Sequence, residues 1–144
     1  MNESLSATAA RIVPQVLPIC GEHQIGEARR AAAAMLHALG FQGPAVNYAV
    51  TAVSELAANL VFHARCQQVM TLRPLRVGSC TAFEIVAEDG GPGIDSLVDA
   101  MRDGFSTNGG LGAGLPGVRR LMDEFEIRSK PGVGTTVVAR KWLR

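Results

Sequence analysis

Residues 89 to 117 read Asp89-Gly-Gly-Pro-Gly-Ile-Asp-Ser-Leu-Val-Asp-Ala-Met-Arg-Asp-Gly-Phe-Ser-Thr-Asn-Gly-Gly-Leu-Gly-Ala-Gly-Leu-Pro-Gly117. Nine of the 16 glycines of the chain fall here, more than turns alone require. A run without Cβ atoms lets backbone N–H groups approach a ligand closely and accepts positive φ. Gly110-Leu-Gly-Ala-Gly114-Leu115 leads into a predicted helix, Leu115 to Glu124, with Pro116 in its first turn. Free N–H donors and the positive end of the dipole at such a helix start suit an anion, phosphate above all. A surface loop without a ligand is the plain alternative.

Two familiar phosphate folds do not fit around this stretch. Gly112, Gly114 and Gly117 satisfy GxGxxG, but the preceding residues 103 to 109 read as loop, not strand, and no parallel βαβ unit surrounds them. No GK[ST] follows, which excludes the P-loop. Working outward, Ile12 to Ile19 alternates as a first strand, and Pro14 and Pro18 favour an edge position. His23 to Leu39 repeats apolar residues at helical spacing and stops at Gly40. A second helix runs from Pro44 to about Ala64 on the stripe Val46, Val50, Val53, Leu56, Ala57 and Leu60. Strands are expected over 68–77 and 81–88, joined at Gly78-Ser79, with Pro74 marking an edge or a bulge. A terminal hairpin, 125–130 with 135–142, turns around Pro131-Gly-Val-Gly134. Helices and antiparallel strands are largely segregated. The expected class is therefore α+β: a two-layer sandwich of a mixed, mainly antiparallel sheet with helices on one face.

With 144 residues, 47% apolar and 19% charged, the chain fits one folded domain, residues 11–144, behind a flexible N-terminus, 1–10. A net charge of +1 gives no electrostatic reason to expect nucleic acid. Cys20, Cys66 and Cys80 are odd in number and widely spaced, which speaks against a disulfide framework or a zinc site and for a reducing compartment. The apolar run from Ile12 to Cys20 is short, broken by prolines and without a basic flank. No membrane segment is expected, and a cytoplasmic location is the expectation.

Three further features bear on chemistry. Glu55 and Asn59 are four apart on the second helix, about 40° apart around its axis, so they share a face. A carboxylate with a neighbouring amide suits a general base beside a metal ligand, although such pairs are commonly just a solvated face. Asp89, after the strand 82–87, can accept a hydrogen bond from an exocyclic amine such as that of adenine, whereas guanine would present a carbonyl; Asp-Gly also reads as an acidic turn. Gly132-Val-Gly-Thr135-Thr136 is a hairpin turn or the far wall of a base pocket. His63 suits a helix C-terminus and the dipole there. Arg119 and Arg120 fit a phosphate contact, a solvated face or a docking patch.

In this order, ELxxN on a helix, DxGxG after a strand, GxGxGL before a helix and a late GTT resemble the four boxes of the GHKL ATPase superfamily, whose ATP site is built on the Bergerat fold. The resemblance spans roughly residues 15 to 142. The short chain, without a phosphoacceptor-histidine helix pair, is similar to the anti-sigma-factor serine kinases. Residues 101–125, above all Gly114-Leu-Pro-Gly-Val118 and Arg120-Leu-Met-Asp-Glu-Phe125, resemble the RsbT-type switch kinases of the bacterial stressosome. Phe105 and Ala113 depart from that pattern, where tyrosine and leucine are usual.

The resemblance implies an ATP-dependent serine/threonine kinase acting on a STAS-domain protein, with a PP2C-type phosphatase or a sigma-factor pathway protein as a further partner. It leaves the oligomeric state open. Asn59 would help hold Mg²⁺ on the phosphates and Glu55 would be the base on the substrate hydroxyl. Asp89 would bind the adenine amine, supported by Thr135 or Thr136, with Gly91 and Gly93 close to the base. Residues from Ser106 and Thr107 through Gly110, Leu111, Gly112, Ala113 and Gly114 would form a lid, and N–H groups of Leu111 to Leu115 would contact phosphate. The alternative is a nucleotide-dependent docking switch with little or no kinase activity. Glu55 speaks for the kinase, because docking needs no base.

Overall fold

The structure, a computed structural model, describes residues 12–63, 68–90 and 114–144. In chain order these form β1 (Gln15–Pro18), α1 (Glu22–Leu39), α2 (Pro44–His63), β2 (Gln68–Val77), β3 (Cys80–Asp89), α3 (Gly114–Leu121), β4 (Glu124–Lys130) and β5 (Gly134–Trp142). The five strands make one sheet in the order β1-β2-β3-β5-β4, and every described pairing is antiparallel. The expected α+β sandwich is present, with no parallel pair among the described residues.

Local chemistry accounts for the boundaries. The side chain of Gln24 accepts a hydrogen bond from the Gly21 N–H (2.8 Å) and so satisfies one donor at the start of α1. At its other end Gly40 adopts φ 99°, and the Phe41 N–H reaches back to the Leu36 carbonyl (2.9 Å). That left-handed cap favours glycine, and it folds Phe41 into the core. β2 and β3 meet in a two-residue hairpin with Val77 opposite Cys80. Gly78 takes φ 60° while Ser79 stays negative, the pattern of a type II′ turn. Pro74 sits opposite Phe83 in unbroken register, so there is no bulge; β1 ends its pairing at Leu72, and Pro74 lies where β2 has become an edge.

The helices cover one face of the sheet. Ala28, Ala32, Met35 and Leu36 of α1 and Ala49, Val53, Leu56, Ala57 and Leu60 of α2 are buried against Met70, Leu72, Phe83, Ile85, Val137 and Ala139. Each fully buried Leu, Ile or Phe contributes roughly 1.5–3 kcal/mol. α2 has the length and apolarity to cross a membrane, but it serves as the core helix here, packed against α1, α3 and β3. The expected helix through Glu124 stops at Leu121. The Asp123 N–H donates to the Arg140 carbonyl (2.9 Å), and Glu124 pairs with Arg140 as the first residue of β4. β5 therefore takes the last residues of the predicted helix into the sheet.

The face without helices holds a buried carboxylate. Glu84 is fully buried in the middle of β3, between Arg73 of β2 and Arg140 of β5. Arg73 donates to one oxygen, and Arg140 Nε donates to the other at 2.6 Å. The hydrogen bond to Glu84 raises the pKa of Arg140, with Glu124 adding to the effect at 3.1 Å. The pairing explains how a charge sits between the apolar residues Phe83 and Ile85 in the middle of β3.

Candidate active site

β-sheet register assembles the site. Gln68 pairs with Asp89, Asp89 with Thr135, and Thr135 with Ser129, so four strands each place one polar residue in a single row. The next row, Met70, Ala87, Val137 and Ile127, belongs to the apolar layer beneath the helices. Since side chains alternate faces with period two, the polar row shares that helix-side face at its end. The Gln68 amide confirms the side, because Nε2 donates to the Leu60 carbonyl of α2 (3.1 Å).

This one bond, contributing about 0.5–1.5 kcal/mol, ties the Asp89 row to the last turns of α2. Asn59 precedes Leu60, and Glu55 lies one turn earlier, about 6 Å along the axis. Both are partly buried at the margin of the α2 core stripe, neither sealed in nor fully wet. The structure thus brings the end of α2 that carries Asn59 to the end of the sheet that carries Asp89 and Thr135.

Thr136 is the expected alternative to Thr135. It pairs with Glu88 and lies on the opposite face of the sheet. Thr135 is the threonine of the row, and its hydroxyl lies 2.9 Å from that of Ser129.

At the start of α3, Gly114 has φ 46°, a left-handed geometry that disfavours a side chain. Leu115 packs partly into the core while its N–H belongs to the first helical turn; Pro116, which has no N–H, is buried together with Gly117 and Val118. α3 rests on α2. A phosphate held at the α3 start would therefore rely on the N–H groups of Gly114, Leu115 and Gly117. Gly91, Gly93, Ser106, Thr107, Gly110, Leu111, Gly112 and Ala113 lie outside the described residues.

No group of three or more His, Cys, Asp or Glu side chains able to hold a metal occurs among the described residues. A resident protein cage for a cation is not formed there. Mg²⁺ carried on substrate phosphates keeps several waters and needs few protein oxygens, so it would not require such a cage; the residue that would offer it an oxygen is Asn59.

Sequence reasoning passed over Gln68 and Ser129. Counting residues outward from the two hairpin turns would have found both, since pairing across Gly78-Ser79 sets Gln68 opposite Asp89, and pairing across Pro131-Gly132-Val133 sets Ser129 opposite Thr135.

Comparison with known proteins gives the family. The family model for the histidine kinase-like ATPase domain matches residues 21–141. The serine/threonine-protein kinase RsbT of Bacillus subtilis (strain 168) is 45% identical over 126 residues, 88% of this chain and 94% of that protein. The anti-sigma F factor of Caldanaerobacter subterraneus subsp. tengcongensis is 33% identical over 98 residues, 65% of this chain and 67% of that protein. Among solved structures, the histidine kinase domain of the blue-light activated histidine kinase from Erythrobacter litoralis EL346 superposes with a TM-score of 0.52 at 22% identity. That match covers 81% of this chain and 59% of the other, and it shows the fold alone. The chain belongs to the histidine kinase-like ATPase domain family, within the GHKL superfamily, and to the serine/threonine-protein kinases there that include RsbT.

Proposed function

We propose that the chain is an ATP-dependent protein serine/threonine kinase of the anti-sigma regulatory type. Its substrate is a STAS-domain protein, an anti-sigma antagonist or stressosome scaffold, and phosphorylation switches its partners, a PP2C-type phosphatase or a sigma-factor pathway protein among them. The observation that carries this reading is the linkage of two chemistries. Asn59, one turn beyond Glu55 on α2, precedes the Leu60 carbonyl that Gln68 joins to the Asp89–Thr135 row. A nucleotide whose base meets Asp89 and whose phosphates meet the α3 start then lies along α2, with the γ-phosphoryl group toward Glu55.

Phosphoryl transfer asks the protein for position and charge more than for covalent chemistry. Asp89 accepts a hydrogen bond from the adenine amine and fixes the base. Backbone N–H groups at the α3 start hold phosphate oxygens. Asn59 would hold Mg²⁺ through its amide oxygen, and the ion would supply positive charge against the negative charge of the phosphates. Glu55 takes the proton from the partner's serine or threonine hydroxyl as that oxygen bonds to the γ-phosphorus. The bond from phosphorus to the β,γ-bridging oxygen breaks, the electron pair stays on ADP, and the partner leaves as a phosphomonoester. The reading places the kinase in the cytoplasm, as one catalytic domain over 11–144.

A docking switch is the second reading, and the likeness to proteins named anti-sigma F factor favours it. One assay separates the two. With [γ-³²P]ATP, Mg²⁺ and the STAS protein encoded nearest to this gene, the kinase reading expects label on serine or threonine of that protein. ATP-dependent association without any label would favour the switch.

A further inference from the structure

The hairpin of β4 and β5 does more than complete the sheet. Gly134 begins β5 at φ 138°, a conformation side-chain-bearing residues rarely adopt. There is also no room for a side chain. A Cβ built on Gly134 would collide with the Asp89 carbonyl oxygen, and would stand 3.2 Å from its carbon and 3.3 Å from the Gly90 Cα. The obstacle is backbone, which cannot swing aside as the end of a flexible side chain would. The closeness of β5 to the last residue of β3 therefore depends on that missing Cβ. One residue on, Thr135 is the register partner of Asp89, and Ser129 across the hairpin holds the Thr135 hydroxyl at 2.9 Å. The Ser129 hydroxyl also lies 3.4 Å from the Gly134 carbonyl. Two residues that need not touch a nucleotide thus set the place of the two that would.

We propose that this hairpin positions the purine site: Gly134 sets the approach of β5 to Asp89, and Ser129 fixes the hydroxyl of Thr135 beside it. The proposal rests on Asp89 as the adenine contact, and its consequence is for purine selectivity rather than for phosphate binding. A displaced Asp89 loses the 6-amino group of adenine while the triphosphate keeps its own contacts.

The test compares calorimetric affinities for ATP and for purine riboside 5′-triphosphate, which lacks the 6-amino group, both with Mg²⁺. The parental protein prefers ATP by about 10- to 100-fold, the worth of a charged hydrogen bond. Gly134→Ala lowers that preference to about 3-fold or less while binding of the amino-free nucleotide changes by less than about 3-fold. Ser129→Ala lowers the preference by about 2- to 10-fold, and Ser129→Thr, which keeps a hydroxyl, restores it. Loss of both affinities by one common factor, with the preference intact, would show a merely structural role and overturn the proposal. Should Gly134→Ala not fold, the Ser129 pair decides alone. A parental protein that binds both nucleotides equally would instead overturn the Asp89 assignment, and this proposal with it.

Discussion

Replacing Asp89 by asparagine removes a charge and almost nothing else. The side chain is the same size, and the residue ends β3 held between Gln68 on one side and Thr135 on the other. The strand pairing of Asp89 with Gln68 and Thr135 is made by the backbone, so the register of the sheet should be kept. The loss falls on the ligand. A hydrogen bond to a charged acceptor contributes about 1.5–3 kcal/mol, and at about 1.4 kcal/mol per decade that becomes a roughly 10- to 100-fold weaker Kd for ATP. The sign for GTP is opposite. Guanine directs a carbonyl at the carboxylate in the parental protein, whereas the asparagine amide can rotate to donate to it. Titration calorimetry with ATP–Mg²⁺ and GTP–Mg²⁺ should therefore show strong preference for ATP in the parent and a much smaller one in Asp89→Asn. Equal affinities in the parent, or an unchanged ATP Kd in the variant, would refute the assignment of Asp89 to the base.

Other outcomes follow from the fold. Glu84→Gln keeps the shape but leaves Arg73 and Arg140 without their shared counter-charge; breaking a fully buried pair costs about 3–5 kcal/mol. Because the arginine side chains are 47% and 30% exposed, water compensates in part, and we expect about 2–3 kcal/mol in urea unfolding. A midpoint equal to the parent's would show that the buried carboxylate does not depend on its partners. Gly40→Ala forces a side chain into the left-handed cap of α1 and should cost about 1 kcal/mol or more by thermal unfolding. Asn59→Ala should weaken ATP binding in the presence of Mg²⁺ and leave binding in EDTA nearly unchanged, as read by calorimetry; equal losses in both would remove Asn59 from the metal.

Elements with a local cause were legible in the sequence. The α1 stop at Gly40, the α2 start at Pro44 and the β2–β3 turn at Gly78-Ser79 depend on residues within a few positions, and each stands close to where composition put it. The end of α3 was not legible, because Asp123 and Glu124 are claimed by Arg140, distant in sequence. Glu84 carried no warning of its partners, since two arginines on neighbouring strands neutralise it only after the sheet forms. In the site, residue types were readable and faces were not. Thr135 and Thr136 are equivalent as letters, and only the parity of β5 against Asp89 separates them. The polar row that includes Gln68 and Ser129 is likewise a product of register.

The central claim is that Glu55, beside a nucleotide held by Asp89 and Asn59, makes this domain a kinase rather than a holder of ATP. Single-turnover transfer tests it most directly, with ATP–Mg²⁺ pre-bound and the STAS protein added, comparing the parent with Glu55→Ala. The account predicts an ATP Kd within about 3-fold of the parent and a transfer rate lower by about 10²- to 10⁴-fold, the usual worth of a general base. Transfer at the parental rate by Glu55→Ala would contradict it.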